Sequence, residues 1–173
     1  MKIEWTSWPS PLGPLVVVES AGLPLVVEFA LQVRGLKWME RLRVRQPDVK
    51  LDLSPCPGTT GWLEAYFARR ARPFCYPAYL EEFFDLTPQE IAVWKAVCDI
   101  PLGQTRSYED IAQASRLNPR LAGQLVGSNQ LAILIPCHRV VGKHGELVGY
   151  GGGLPRKRWL LDHELRTAGL VLR

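Results

Sequence analysis

The sequence predicts an α+β fold: a small strand-forming N-terminal part and a mainly helical C-terminal part. Two observations carry this. Val16-Val17-Val18 and Leu25-Val26-Val27 are strand-forming runs, and Ala21-Gly22 between them supplies a turn. Further on, Thr87-Pro88-Gln89-Glu90 is a capping box with proline at the first helical position, and Ser107 with Asp110 has the same spacing. The expected division is an N-terminal α/β domain with an antiparallel sheet over 1–82 and a second domain over 83–173. A chain of 173 residues is long enough for one domain or two small ones.

The elements follow in order. A strand near Ile3 to Trp8 precedes the hairpin. Leu36 to Gln46 has helical spacing with basic residues on the other face. Residues 47–61 are rich in Pro, Gly, Ser and Thr and read as a loop. Trp62 to Arg70 reads as a short helix, and 71–86, with Pro73 and Pro77 among aromatics, as a packed linker. In the helix opened by Pro88, Ile91, Trp94 and Cys98 share one face, with Val93 and Val97 beside it, and Pro101 and Gly103 end it. Ser107 caps a helix to about Ser115, and Asn118-Pro119 opens another that ends near Gly127. Two short helices with a tight connection have the form of a helix-turn-helix. The apolar run Leu131 to Ile135 leads into Pro136-Cys137-His138-Arg139-Val140-Val141. The glycine cluster Gly149-Tyr150-Gly151-Gly152-Gly153 and a last helix, Pro155 to Arg166, complete the chain.

Composition narrows the function classes. With 47% hydrophobic and 22% charged residues, long disorder, collagen-like repeats and coiled coil are excluded. No apolar run approaches the roughly 18 residues of a membrane span. The N-terminal residues lack an apolar signal core, so a cytoplasmic location is expected. The net charge is +4, and from Ile100 onward ten Lys/Arg face five Asp/Glu. That distribution permits an acidic partner on the C-terminal part. The four cysteines form no CxxC and no zinc-type spacing with histidine, so no metal is expected. Whether Cys56 and Cys75 pair is left to geometry.

Cys137 is the sharpest chemical feature. A thiolate is a nucleophile, and a neighbouring histidine or cation lowers its pKa. His138 is positioned to act as a base, directly or through water, and Glu164 on the last helix to orient it. Alone, a Cys-His pair reads more readily as a buried small hydrophobe beside a core histidine. Arg120, at the start of the second short helix, is placed to meet phosphate or enter a groove, and Ala122 and Gly123 allow close approach of the backbone. Arg156-Lys157-Arg158 reads as a solvated helix face, or at best a phosphate contact.

Together these pieces resemble the O6-alkylguanine-DNA alkyltransferases (methylated-DNA–protein-cysteine methyltransferases). The match is carried by Ile135 to Val141, Thr105-Arg106-Ser107-Tyr108-Glu109-Asp110-Ile111-Ala112, Asn118-Pro119-Arg120, Asn129, Gly149-Tyr150, Gly152-Gly153-Leu154 and Arg158-Trp159-Leu160-Leu161 with Glu164. It covers roughly residues 87–167.

The resemblance implies irreversible, single-turnover transfer of the alkyl group from O6 of guanine in DNA to Cys137. It implies His138 as base through a water, Glu164 holding His138, and Asn129 as the hinge residue. Tyr108 would help rotate the nucleotide and donate to guanine N3. Arg120 would fill the space of the flipped nucleotide, with Ser107, Ala122 and Gly123 completing the DNA-facing set. Val140, Tyr150 and Gly151 would line the alkylguanine pocket. The fold implied is a ribonuclease-H-like N-terminal domain and a winged-helix-like C-terminal domain. The protein would act as a monomer on the minor groove of double-stranded DNA, associated with the nucleoid, with no membrane partner and no cofactor. Flipping suits the chemistry, because an alkyl group on O6 is out of reach inside a duplex.

Gln130 and Ala132 stand where the family usually has proline, and Gly151 where it often has serine or alanine. The main competing expectation is an alkyltransferase-like lesion sensor that binds without transfer; such proteins lack the reactive cysteine. The other is a plain helix-turn-helix module with a structural cysteine.

Overall fold

The β-branched residues form the strands where the sequence predicts them. β1 (Ile3–Trp8), β2 (Leu15–Ser20) and β3 (Leu23–Phe29) run antiparallel in sequence, and β4 (Leu51–Leu53) adds parallel to β1, giving the order β3-β2-β1-β4. The computed structural model describes residues 2–29, 44, 50–70 and 73–169. The helix expected over Leu36 to Gln46 lies outside the described residues, save for exposed Val44. Chain contacts divide the protein into two units, Met1–Arg72 with Gln130–Ala132, and Pro73–Asn129 with Ile133–Arg173.

In the first unit the sheet buries Ile3, Leu15, Val17, Val18 and Leu25 to Val27. The backbone of Val27 also pairs with Gln130 and Ala132, through N–H···O contacts of 2.8 Å each, so this distant segment lies along β3. α1 (Pro57–Phe67) packs on the sheet. Residues 47–61 are thus not one loop, and the helix expected at Trp62 begins five residues earlier. The cause is tertiary. Cys56, at the N-cap, offers no side-chain cap, but the buried Glu19 carboxylate on β2 accepts from Thr59 N and Thr59 Oγ1, both at 2.6 Å. A carboxylate at a helix N-terminus satisfies orphan amides and complements the helix dipole. Gly58 makes the approach possible: a Cβ there would stand 2.5 Å from the Gly22 carbonyl oxygen.

The second unit begins with α2 (Tyr79–Phe84), inside the segment expected to be a linker. Leu80 and Phe84, one turn apart, are buried, and Asp85 ends the helix in the left-handed conformation. α3 (Pro88–Cys98) carries the expected capping box: Glu90 N donates to Thr87 Oγ1 at 3.2 Å, and Thr87 N donates to Glu90 Oε2 at 2.9 Å. Its buried face is Glu90, Val93, Trp94 and Val97, rotated from the Ile91–Trp94–Cys98 face read from spacing. On this face the fully buried Trp94 donates its indole N–H to the Leu125 carbonyl, 3.0 Å away.

β5 (Arg106–Ser107) pairs in parallel with β6 (Val140–Val141). α4 (Tyr108–Ser115), capped by Ser107, and α5 (Pro119–Gly127), capped by Asn118, are joined by residues 116–118, with Arg116 in the left-handed region. A single 3-10 turn (Cys137–Arg139) precedes β6, and α6 (Leu154–Thr167) ends the unit. The whole is a mixed α+β protein with a small sheet and several helices. All four cysteines are free thiols. Among the described residues no helix is long and apolar enough to cross a membrane.

Glu19→Ala should destabilise the protein by about 2 kcal/mol, because two donors at the start of α1 lose a charged acceptor. Urea denaturation measures this; an unchanged midpoint would show that α1 is capped without Glu19.

Candidate active site

The reactive segment is shaped by short-range constraints. Cys137 N–H donates to the Ile135 carbonyl at 2.8 Å, and Pro136 between them is buried. Just upstream, Ile133 holds φ +74°, a conformation that β-branched residues rarely adopt. The side chain of Asn129 secures the turn: its Nδ2 donates to the Ile135 carbonyl at 2.9 Å and to Cys137 Sγ at 3.1 Å. An amide donor aimed at sulfur favours thiolate. Burial is nonetheless the largest influence on the Cys137 thiol and pushes its pKa up; the Asn129 hydrogen bond, the Lys157 charge and nearby backbone N–H groups act against it.

His138 and Glu164 meet as expected. His138 Nε2 lies 2.7 Å from Glu164 Oε1, and both side chains are fully buried. A carboxylate at that distance assigns the proton to Nε2, which leaves Nδ1 as the basic nitrogen. Nδ1 is buried without a hydrogen-bond partner among the described residues. Burial works to raise the Glu164 pKa, but His138 and Arg139 outweigh it and hold the carboxyl well below the usual carboxylate range.

Two residues of this site were missed from sequence. Arg139 donates through Nε to Glu164 Oε2 at 2.7 Å and through Nη2 to Oε1 at 2.9 Å, while Nη1 donates to the Ile100 carbonyl at 2.5 Å. The fork matches the carboxylate and fixes its plane. Lys157 is the second. It is not on a solvated face: it is fully buried, and Nζ donates to the carbonyls of Val140 (2.6 Å), Val148 (2.6 Å) and Gly149 (3.3 Å). Burial pushes its pKa down to about 8, with Cys137 acting in the opposite direction. Helical spacing held the signal, since Lys157, Leu160 and Glu164 share one face of α6; the flanking arginines masked it.

Tyr108 donates its hydroxyl to the Gly149 carbonyl at 3.0 Å, and Lys157 Nζ stands 5.9 Å from its ring centroid. Gly149 has φ +48°, and a Cβ there would come within 3.0 Å of the Tyr108 hydroxyl. Tyr150 sets its ring edge-on to His138, centroids 6.5 Å apart, and burial pushes its hydroxyl pKa well up. Val140 is buried, and Gly151 is half-buried in the turn before α6.

The remaining expected residues lie on α5 and at the start of α4. Arg120 is exposed in the first turn of α5. Ala122 is fully buried, so its side chain faces the interior rather than an outside partner. Gly123 faces the Tyr108 ring, with a built Cβ 3.6 Å from Cδ1. The Ser107 hydroxyl accepts from Asp110 N at 3.0 Å to start α4. Among the described residues no group of three or more His, Cys, Asp or Glu side chains is arranged to hold a metal.

Comparison with known proteins follows the same residues. The family model described as 6-O-methylguanine DNA methyltransferase, DNA binding domain, matches residues 88–166. The inducible methylated-DNA–protein-cysteine methyltransferase of Bacillus subtilis is 48% identical over 84 residues, covering 47% of each chain. A methylated-DNA–protein-cysteine methyltransferase of Mycobacterium bovis is 34% identical over 172 residues, 96% of this chain and 94% of the relative. The crystal structure of Mycobacterium tuberculosis OGT in complex with DNA superposes with a TM-score of 0.74 at 32% identity, covering 95% of this chain and 94% of that one. Likeness that extends along nearly the whole chain, and not only through the segment around Cys137, makes this protein a member of the methylated-DNA–protein-cysteine methyltransferase family.

Proposed function

We propose that this protein repairs DNA by transferring the alkyl group of O6-alkylguanine to Cys137, once per molecule. The observation that carries the reading is the arrangement at the 3-10 turn: a thiol receiving the Asn129 amide, next in sequence to a histidine held by a buried glutamate. His138 Nδ1 accepts the thiol proton through a water, because Nε2 is committed to Glu164. The thiolate sulfur attacks the alkyl carbon, a C–S bond forms, and the bond from that carbon to O6 breaks. The electron pair passes into the guanine ring, and Tyr108 protonates N3, as a general acid does for a poor leaving group. Two roles thus fall to Tyr108, whose hydroxyl must leave the Gly149 carbonyl to reach the base. The carbonyls of Cys137 and Val140 read the guanine amino group, and Tyr150 and Gly151 line the pocket. Gly151 offers only its backbone amide near O6.

The partner is double-stranded DNA carrying O6-alkylguanine, approached as a monomer from the minor groove. The second unit, Pro73–Asn129 with Ile133–Arg173, is the alkyltransferase domain, with α4 and α5 as the helix-turn-helix of a winged-helix-like unit. The first unit, Met1–Arg72 with Gln130–Ala132, is the ribonuclease-H-like one. Exposed Arg120 enters the stack where the nucleotide leaves, offsetting lost stacking as wedge residues do. The basic excess in this part supplies phosphate contacts that are blind to sequence. The protein works in the cytoplasm, on the nucleoid.

Incubation with duplex DNA holding one O6-methylguanine should add about 14 Da, mapped by peptide analysis to Cys137, since a nucleophilic cysteine keeps the group it accepts. Cys137→Ser should gain nothing yet still bind DNA. Lesion-dependent binding without any mass gain in the unaltered protein would favour a sensor. Arg120→Ala should slow repair in duplex DNA far more than reaction with free O6-alkylguanine; equal losses would remove the wedge role. Glu164→Gln should slow transfer and flatten the acid limb of stability against pH. The depressed carboxyl contributes stability that is complete above the unfolded-chain value of roughly 4.3 and is lost as pH falls below it. Urea melts between pH 3 and 7 test this, and identical slopes in the two proteins would contradict it.

A further inference from the structure

Cys75 and Cys98 have no role in the proposed transfer, yet the fold of the second unit sets them against one another. Cys75 lies in the segment before α2, and Cys98 is the last residue of α3. Two contacts of Lys95 hold that segment and α2 on α3. Its ammonium stands 5.0 Å from the centroid of the Tyr76 ring and pairs with Glu81 Oε1 at 2.9 Å. Lys95 and Cys98, three residues apart, share one side of the helix. Tyr76 follows Cys75 directly in the chain. The electrostatics agree with this placement. Burial and Glu81 push the Tyr76 hydroxyl up, and Cys98 adds to them; Cys75 in turn acts on the Cys98 thiol.

The two thiols differ in access. Cys75 is exposed and Cys98 is half-buried. Burial pushes the Cys98 thiol up to about 12; Asp99, Cys75 and Cys137 act in the same direction, and Arg139 against it. A thiol kept protonated and shielded is a poor target for a dissolved oxidant. It is well placed, however, to resolve a neighbouring sulfur that has already been oxidised, the arrangement found in redox-sensing pairs.

We propose that Cys75 and Cys98 are a peroxide-responsive dithiol, which closes to a disulfide that staples the segment before α2 to the end of α3. The Cys75 sulfur attacks hydrogen peroxide: an S–O bond forms, the O–O bond breaks, and the leaving hydroxide takes the thiol proton to become water. The Cys98 sulfur then attacks the sulfenic sulfur of Cys75. An S–S bond forms, the S–O bond breaks, and the departing hydroxide takes the Cys98 proton as a second water. The two thiols lose two electrons, and one peroxide becomes two waters. A disulfide of this kind inside a cell is transient and redox-sensing. A small-molecule dithiol reverses it by exchange. The inference does not depend on the alkyl-transfer reading.

The test treats the full-length protein with hydrogen peroxide, blocks the remaining thiols in acid, and maps the peptides without reductant. The Cys75 and Cys98 peptides should be joined, at a mass about 2 Da below their sum, because a disulfide forms with loss of two hydrogens. Dithiothreitol should separate them again. Cys75→Ser, a change at an exposed position, should leave Cys98 unoxidised at the same peroxide dose. Cys98→Ser should instead stop at the first step, with about 16 Da added to Cys75 as a sulfenic acid that dimedone traps. Oxygen added to Cys75 without any bridge in the unaltered protein overturns the proposal. So does a bridge from Cys75 to Cys56, to Cys137 or to a second copy of the chain. Should Cys98→Ser fail to fold, the bridge in the unaltered protein and its absence in Cys75→Ser still decide. No arm reads alkyl transfer, so a protein that gains no mass from alkylated DNA overturns the transfer reading and leaves this inference standing.

Discussion

The second unit depends on one buried carboxylate. Glu164 is fully shielded from water, and it stays ionised because a histidine and an arginine close on it from the same short turn. A buried charge without such partners would be far too costly to keep. His138 and Arg139 are adjacent in sequence, and with residues 137–139 coiled into a single 3-10 turn both reach the same carboxylate on α6. That turn in turn leaves the Cys137 sulfur beside the Asn129 amide. The carboxylate therefore sets the direction of the imidazole, the shape of the turn and the position of the thiol at once.

Opposing influences meet at the sulfur. Burial disfavours the thiolate, whereas an amide hydrogen bond, a buried ammonium and backbone N–H groups favour it. Such a balance suits a nucleophile that should react only when a substrate is seated, since a fully exposed thiolate would be consumed by any electrophile. The surrounding polar groups are mostly committed to one another. The Tyr108 hydroxyl and the Lys157 ammonium both rest on main-chain carbonyls of the loop after β6. In the proposed reaction, catalysis is then an exchange of partners rather than the making of contacts from nothing.

The first unit shows the same logic without chemistry. Glu19 is a strand residue, yet its carboxylate starts a helix nearly forty residues later, and Gly58 lets that helix approach the hairpin turn. The same sheet gathers in Gln130 to Ala132, the segment directly after Asn129. Glu19 in the first unit and Glu164 in the second both accept from partners distant in sequence, which explains why the local reading failed where it did.

What the sequence determined by itself was whatever local rules decide. The hairpin around Ala21-Gly22, the capping boxes at Thr87 and Ser107, and the start of α5 at Asn118-Pro119 lie where turn chemistry and capping place them. The Cys137–His138–Glu164 grouping was legible because the motif and its flanks are specific to a family. Tertiary structure decided the rest. α1 begins at Pro57 because a carboxylate on another strand caps it, and α2 forms because Leu80 and Phe84 find a core, which proline-rich composition cannot reveal. The buried face of α3 centres on Trp94 with Val93 and Val97, which spacing alone placed beside the face of Ile91 and Cys98. Above all, Lys157 in a run of three basic residues looks solvated; only the fold brings three carbonyls from β6 and the following loop to one point and turns a surface-type residue into a buried clamp.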